Sequence, residues 1–275
     1  PELLDYELRP PDSVPPPPPP RRPIALWLGA FIALVAIAAA AYLFFDRRTA
    51  EAPASTGAPP APATDSALGR GGLNITLPTL EMSDAIVREL VGKLSAHPQV
   101  AAWLTTRGLV RNFTVVVVAI AEGRTPAPLL RPVRPGSPFQ VIERGSDTLI
   151  DPRSYERYDR IAGAAASLDP ADAARLYTAL KPLIDEAYAE LGFPDVPFDR
   201  MLERAIIQLL ETPVVEGPIR LKEEGIGWEY VDPRLAGLTG AQRQLLRLGP
   251  RNQRIVQESL RNIALALGLP SQRLP

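Results

Sequence analysis

Two groups of arginines, one of them interleaved with tyrosines, are the side chains of this chain best suited to recognition. Arg153, Tyr155, Arg157 and Tyr158 fall within six consecutive residues, with Asp159 next. Tyr155 and Tyr158 are one helical turn apart. Arg247, Arg251, Arg254 and Arg261 form the second group, the last three spaced along one helical face with Glu258 between them. Arginine and tyrosine are enriched at binding hot spots, so these eight residues are the candidate binding set. The alternative is structural, with the tyrosines in the core and the arginines paired to acids. Asp169 to Arg204 holds eight acids and four bases, whereas Thr239 to Pro275 holds six arginines and the single acid Glu258. A basic face of that kind suits lipid headgroups or an acidic partner.

Catalytic chemistry has few carriers. The chain has no cysteine, which removes disulfides, thiol nucleophiles, thiolate metal sites and iron–sulfur clusters. Its single histidine, His97, precedes Pro98 and reads as a break between helices, because the residue before proline is pushed out of the α region. No P-loop, dinucleotide-type glycine turn or EF-hand pattern occurs. We therefore expect no cofactor, no metal and no assigned catalytic residue. A net charge of −1 gives no global field toward nucleic acid. Paired carboxylates need neither histidine nor cysteine, and Asp185, Glu186 and Glu190 cluster on one expected helix. A glycan hydrolase with two carboxyls across a cleft is the corresponding alternative.

These side chains sit on a chain of four segments. Residues 1–23 are a proline-rich tail with an unbroken run from Pro15 to Pro20, a stiff polyproline spacer. Residues 24–45, IALWLGAFIALVAIAAAAYLFF, carry no charge and no amide. As a helix they rise about 33 Å, enough for a hydrocarbon core of about 30 Å. Contact with membrane lipid is expected there. Trp27 and Tyr42 suit the interfacial aromatic belts, and Arg9, Arg21 and Arg22 outnumber Arg47 and Arg48, which favours a tail inside. Ala25, Gly29 and Ala33 recur every fourth residue and would let two spans pair as a homodimer; an alanine-rich segment without that role is the alternative. Residues 46–74 form a linker of Ala, Pro, Ser and Thr too poor in large apolar residues to bury a core. Residues 75–275 form the soluble domain.

That domain reads as mainly α. Apolar spacing predicts helices from Leu80 to Leu94, after Pro98, from Leu109 to Glu122, from Pro170 to Leu191, from Phe198 to Leu210, from Thr239 to Leu248 and from Pro250 to Leu267. Thr114 to Val118 is β-branched and would also fit a strand. Ser83 or Asp84 can cap the first helix. Asp151-Pro152, Asp169-Pro170 and Asp232-Pro233 each join a capping acid to a proline that needs no donor, so each should open a helix. One internal repeat stands out: Pro138 to Gly145 leads to Asp151-Pro152-Arg153, and Pro218 to Gly225 leads to Asp232-Pro233-Arg234. Each copy predicts a β-hairpin. A lone hairpin is marginal in water, so the two should join in one small antiparallel sheet against a helical bundle.

The stretches Tyr155-Glu156-Arg157-Tyr158-Asp159, Leu176-Tyr177, Glu186-Ala187-Tyr188, Leu191-Gly192 and Gln244 to Asn252 resemble a bacterial family known as domain of unknown function 3014. The resemblance runs from roughly Leu80 to Gly268. It implies a bacterial envelope protein with one N-terminal span and implies no catalytic residues. The resulting expectation is a single-pass protein of the inner membrane, N-terminus cytoplasmic and C-terminal domain periplasmic. It would act by binding a protein partner, as an envelope scaffold or accessory subunit. A cell-wall glycan hydrolase, or a lipid-binding module with a large apolar cavity, are the alternatives.

Overall fold

Apolar residues at helical spacing need a common core, and the long helices supply it by packing their stripes together. The structure, a computed structural model, describes residues 75–193, 196–225 and 227–275. The expected tail, membrane span and linker lie outside the described residues. A 3-10 turn at Leu80–Met82 precedes α1 (Asp84–Leu94), α2 (Pro98–Leu104) and α3 (Leu109–Ala121). A loop with 3-10 turns at Ala127–Leu129 and Arg131–Val133 leads to β1 (Val141–Arg144) and β2 (Asp147–Ile150). Then come α4 (Arg153–Glu156), α5 (Asp159–Ala166), α6 (Pro170–Glu190) and α7 (Phe198–Leu210). β3 (Arg220–Glu224), β4 (Gly227–Tyr230), α8 (Pro233–Ala236), α9 (Gly240–Leu246) and α10 (Gly249–Ala266) follow.

Helix α3 packs on α6 and α7, and α10 packs on α5, α6 and α7. Leu109, Val118, Leu183, Ile184, Tyr188, Phe198 and Ile206 fill the space between them. The β-branched run after Thr114 is helix rather than strand. Its lower helix propensity, tenths of a kcal/mol per residue at about 0.7 at most, is outweighed by burial of Val117 and Val118. Among the described residues no single helix is long and apolar enough to cross a membrane. Helices α2 and α3 pass that test only as a pair bent by 109°.

The three Asp-Pro pairs open helices as expected. Asp151 Oδ1 accepts from Arg153 N at 2.9 Å, Asp169 Oδ1 from Asp172 N at 2.9 Å and Asp232 Oδ1 from Arg234 N at 2.9 Å. His97 also serves as a cap, its Nδ1 accepting from Gln99 N at 3.2 Å. The expected cap of α1 is corrected. Ser83 Oγ donates to Leu80 O instead. Asp84 turns outward to α3, where Oδ2 accepts from Gly108 N at 2.9 Å and Oδ1 from Leu109 N at 2.8 Å. Arg88, one turn along α1, donates to Leu104 O and Thr106 O, both at 2.8 Å. The pair thus clasps the turn between α2 and α3 from a third helix.

Burial opposes ionisation of Asp84, but the Leu109 and Gly108 N–H groups and the Arg88 guanidinium outweigh it and hold its carboxyl below the ordinary range. A lowered folded-state value adds stability above the unfolded carboxylate range, near pH 4, and loses it as pH falls through the folded value. Asp84→Ala should cost about 1–2 kcal/mol at neutral pH. In urea unfolding the gap to the parent should shrink as the pH is lowered; a gap that persists unchanged in acid would refute this role.

The two hairpins form one antiparallel sheet in the order β1-β2-β3-β4. Val141 pairs with Ile150 and Arg144 with Asp147; Leu221 pairs with Tyr230 and Glu224 with Gly227. The copies join through Thr148↔Leu221 and Leu149↔Arg220. Gly145 (φ +63°) and Gly225 (φ +57°) start the tight turns, in the left-handed region that favours glycine. Ile150, Leu221 and Tyr230 share one face and pack against Leu235 of α8 and Leu246 of α9.

Candidate functional site

The two arginine-bearing motifs meet in the structure. Gly249, the first residue of α10, lies with φ +76° against the ring of Tyr155. Asn252 Nδ2 donates to Tyr155 O at 3.0 Å and to Asp159 Oδ1 at 2.8 Å. Leu245 and Leu248 pack with the buried Tyr158. This joint fixes the end of α9 beside the α4–α5 turn, so Arg157 and Arg247 come to flank one cleft.

The cleft has two lobes. The larger, about 930 Å³, lies between the loop preceding β1 and helices α5 and α9; Arg131, Arg134, Phe139, Arg157, Tyr158 and Arg247 are among its lining residues. The smaller, about 240 Å³, lies under the sheet and is lined by Phe139, Ile150, Leu221, Trp228, Tyr230 and the guanidinium-bearing Arg157, Arg243 and Arg247, with Glu229. Phe139, Arg157 and Arg247 border both lobes.

Arg157 is held in place. Its guanidinium carbon lies 4.9 Å from the Tyr158 ring centroid and 5.5 Å from that of Phe139. Nη1 donates to Ser137 O at 3.3 Å and Nη2 to Tyr158 Oη at 3.2 Å. Arg247 donates to Gln244 Oε1 at 3.3 Å and lies close enough to the Tyr230 hydroxyl to act on its ionisation. Burial raises that hydroxyl despite Arg247 and Arg243. Burial pushes Tyr155 up to about 12. Both phenols therefore stay neutral at physiological pH and leave the cleft its positive charge.

Among the described residues no ion pair involves Arg131, Arg134, Arg157, Arg243 or Arg247. Among the described residues no carboxylate lines the larger lobe, and Glu229 in the smaller is paired with Lys222 at 2.8 Å. Some arginines elsewhere reach acids, as Arg111 does Glu190 at 2.6 Å, Arg88 Asp84 at 3.3 Å and Arg273 Glu203 at 2.7 Å; what sets the cleft apart is that five arginines converge on it. Guanidinium forks matched to no internal acid are suited to external carboxylate or phosphate.

The family described as protein of unknown function (DUF3014) matches residues 109–264, over half of the chain. The chain belongs to that family. No curated protein and no solved structure matches it. The DUF3014 match runs from the start of α3 into α10, so it takes in both motifs and the whole cleft; α1 and α2 fall outside it.

Three of the eight residues singled out in the sequence line the cleft: Arg157, Tyr158 and Arg247. The others do not. Tyr155 packs under the sheet and Arg153 is exposed on α4. Arg251 approaches Asp159 at 3.7 Å, Arg254 pairs with Glu216, and Arg261 bonds Pro275 O. The acids of α6 are likewise on its outer surface, with Asp185 paired to Lys181 and Glu190 to Arg111. Sequence reasoning missed Arg131, Arg134, Phe139, Trp228 and Arg243. One signal was available: from Gly123 to Gln140 the chain has three arginines, five prolines and no acid. A stiff, purely cationic loop is an unusual connector.

Proposed function

We propose that the protein is a membrane-anchored binding module whose cleft receives an acidic segment of a partner protein. The observation that carries this reading is the set of cleft arginines without an acidic partner among the described residues. Residues 24–45 would anchor the chain, residues 46–74 would tether the domain near the lipid surface, and the domain would lie on the periplasmic side as an envelope scaffold or accessory subunit. The alanine–glycine spacing of the span would allow a homodimer. The cleft favours binding over carboxylate chemistry because the larger lobe offers cations and aromatic faces and no paired acids. It favours an acidic segment over an acyl chain because its walls carry guanidinium groups rather than continuous apolar surface.

Arg134 and Arg247 are exposed, so reversing their charge should spare the fold. Crosslinking in intact membranes should capture a protein through the parent chain. The double substitution Arg134→Glu, Arg247→Glu should cut that capture roughly tenfold or more, with circular dichroism unchanged. Capture that ignores both arginines would sink the cleft as the docking site.

A further inference from the structure

We infer that the smaller lobe is an apolar anchor subsite, so that the acidic segment bound by the cleft carries one bulky apolar side chain beside its carboxylates. This rests on the reading of the cleft as an acidic-segment site. The lobe is lined by Ile150, Leu221, Tyr230 and the exposed Trp228 from one sheet face, and by Phe139 from the loop before β1. Its volume of about 240 Å³ admits one large side chain and no more. Arg243 and Arg247 stand at its rim, and Arg131 and Arg134 border the larger lobe beyond. An extended segment could therefore place acids on either side of a buried anchor, the pattern of an apolar hot spot inside a polar rim. Trp228 is 36% exposed, a large indole held open at the end of a hairpin, where stability alone would select a polar residue. A sugar would demand paired polar side chains that the aliphatic floor does not supply. An acyl chain would outrun so short a lobe.

The test uses the full chain in phosphatidylcholine nanodiscs and fluorescence anisotropy of labelled peptides of about ten residues. One peptide is glutamate and serine with a single central phenylalanine; its twin has alanine there. The phenylalanine peptide should bind roughly tenfold more tightly at equal salt, the gain expected from burying one large apolar side chain. Trp228→Ala should erase most of that advantage, weakening the phenylalanine peptide several-fold more than the alanine peptide. Arg247→Glu should weaken both peptides. Equal affinity of the two peptides would overturn the anchor subsite while leaving the acidic-segment reading intact. Binding of neither peptide would overturn the reading itself. Tighter competition by phosphatidylglycerol vesicles or by a single-stranded oligonucleotide than by the phenylalanine peptide would reassign the cleft to lipid or nucleic acid and overturn both.

Discussion

Gly249→Ala should destabilise the domain by about 3–5 kcal/mol, the sum of a left-handed backbone and an overpacked contact. An added Cβ would fall within 3.0 Å of Tyr155 Cβ, Cγ and Cδ1. Those atoms sit at the root of the side chain, so no rotamer change at its tip relieves the overlap. The backbone at Gly249 has φ +76°, which disfavours any L side chain. Chemical denaturation of the single variant would measure the loss. The double variant Gly249→Ala, Tyr155→Ala tests the ring's share, because removing the ring removes the Cγ and Cδ1 overlaps and leaves the φ penalty and the contact with Tyr155 Cβ at 2.7 Å. It should lose less than the two single variants added together, by about 1–2 kcal/mol. Strict additivity would mean that the ring does not dictate glycine here. The same joint sets Arg157 against Arg247, so any variant that still folds should also lose peptide binding.

Asp199→Ala should cost about 2–3 kcal/mol, because a buried carboxylate with charged and neutral donors leaves them unmatched when it goes. Asp199 is 4% exposed at the start of α7. It accepts from the Tyr177 hydroxyl and from Lys181 Nζ, the latter at 2.9 Å, and so ties α7 to α6. The full cost of a buried pair is not expected, since Lys181 keeps Asp185 at 3.3 Å and some contact with solvent. For a domain of this size the loss corresponds to about 5–10 °C in Tm. Asp199→Asn keeps an acceptor for Tyr177 and should lose less. Burial, then the bond to Asp199, raises the Tyr177 hydroxyl, so in ultraviolet titration this phenol should ionise above the ordinary tyrosine range in the parent and move toward it in Asp199→Ala. Equal melting of parent and Asp199→Ala would remove the tie from the account of α6–α7 packing.

Much of the fold was legible in the chain because it depends on local rules. Helical apolar spacing located α6 and α7 nearly to the residue. Asp-Pro pairs marked helix starts because a carboxylate and a missing N–H answer the same unsatisfied donors. The internal repeat announced two hairpins, and the marginal stability of either alone led to one sheet. Caps made between distant elements were not legible. Asp84 looked like the cap of its own helix, yet it caps α3, 25 residues from Leu109 in sequence. Short-range pattern has no term for such a bond.

The site divides along the same line. The motifs around Tyr155 and Arg247 identified the right neighbourhood and mixed two kinds of arginine. By type and spacing Arg157 and Arg251 are equivalent; only packing sends one between two aromatic rings and the other to Asp159. Composition and periodicity determined a mainly helical domain, the bounds of α6 and α7 and the absence of cysteine chemistry, since these follow from side-chain type and spacing along the chain; α5 (Asp159–Ala166) had no such signal. Tertiary structure alone decided which arginines keep their charge free. That depends on which acids come within about 4 Å through space, a distance with no counterpart in residue number.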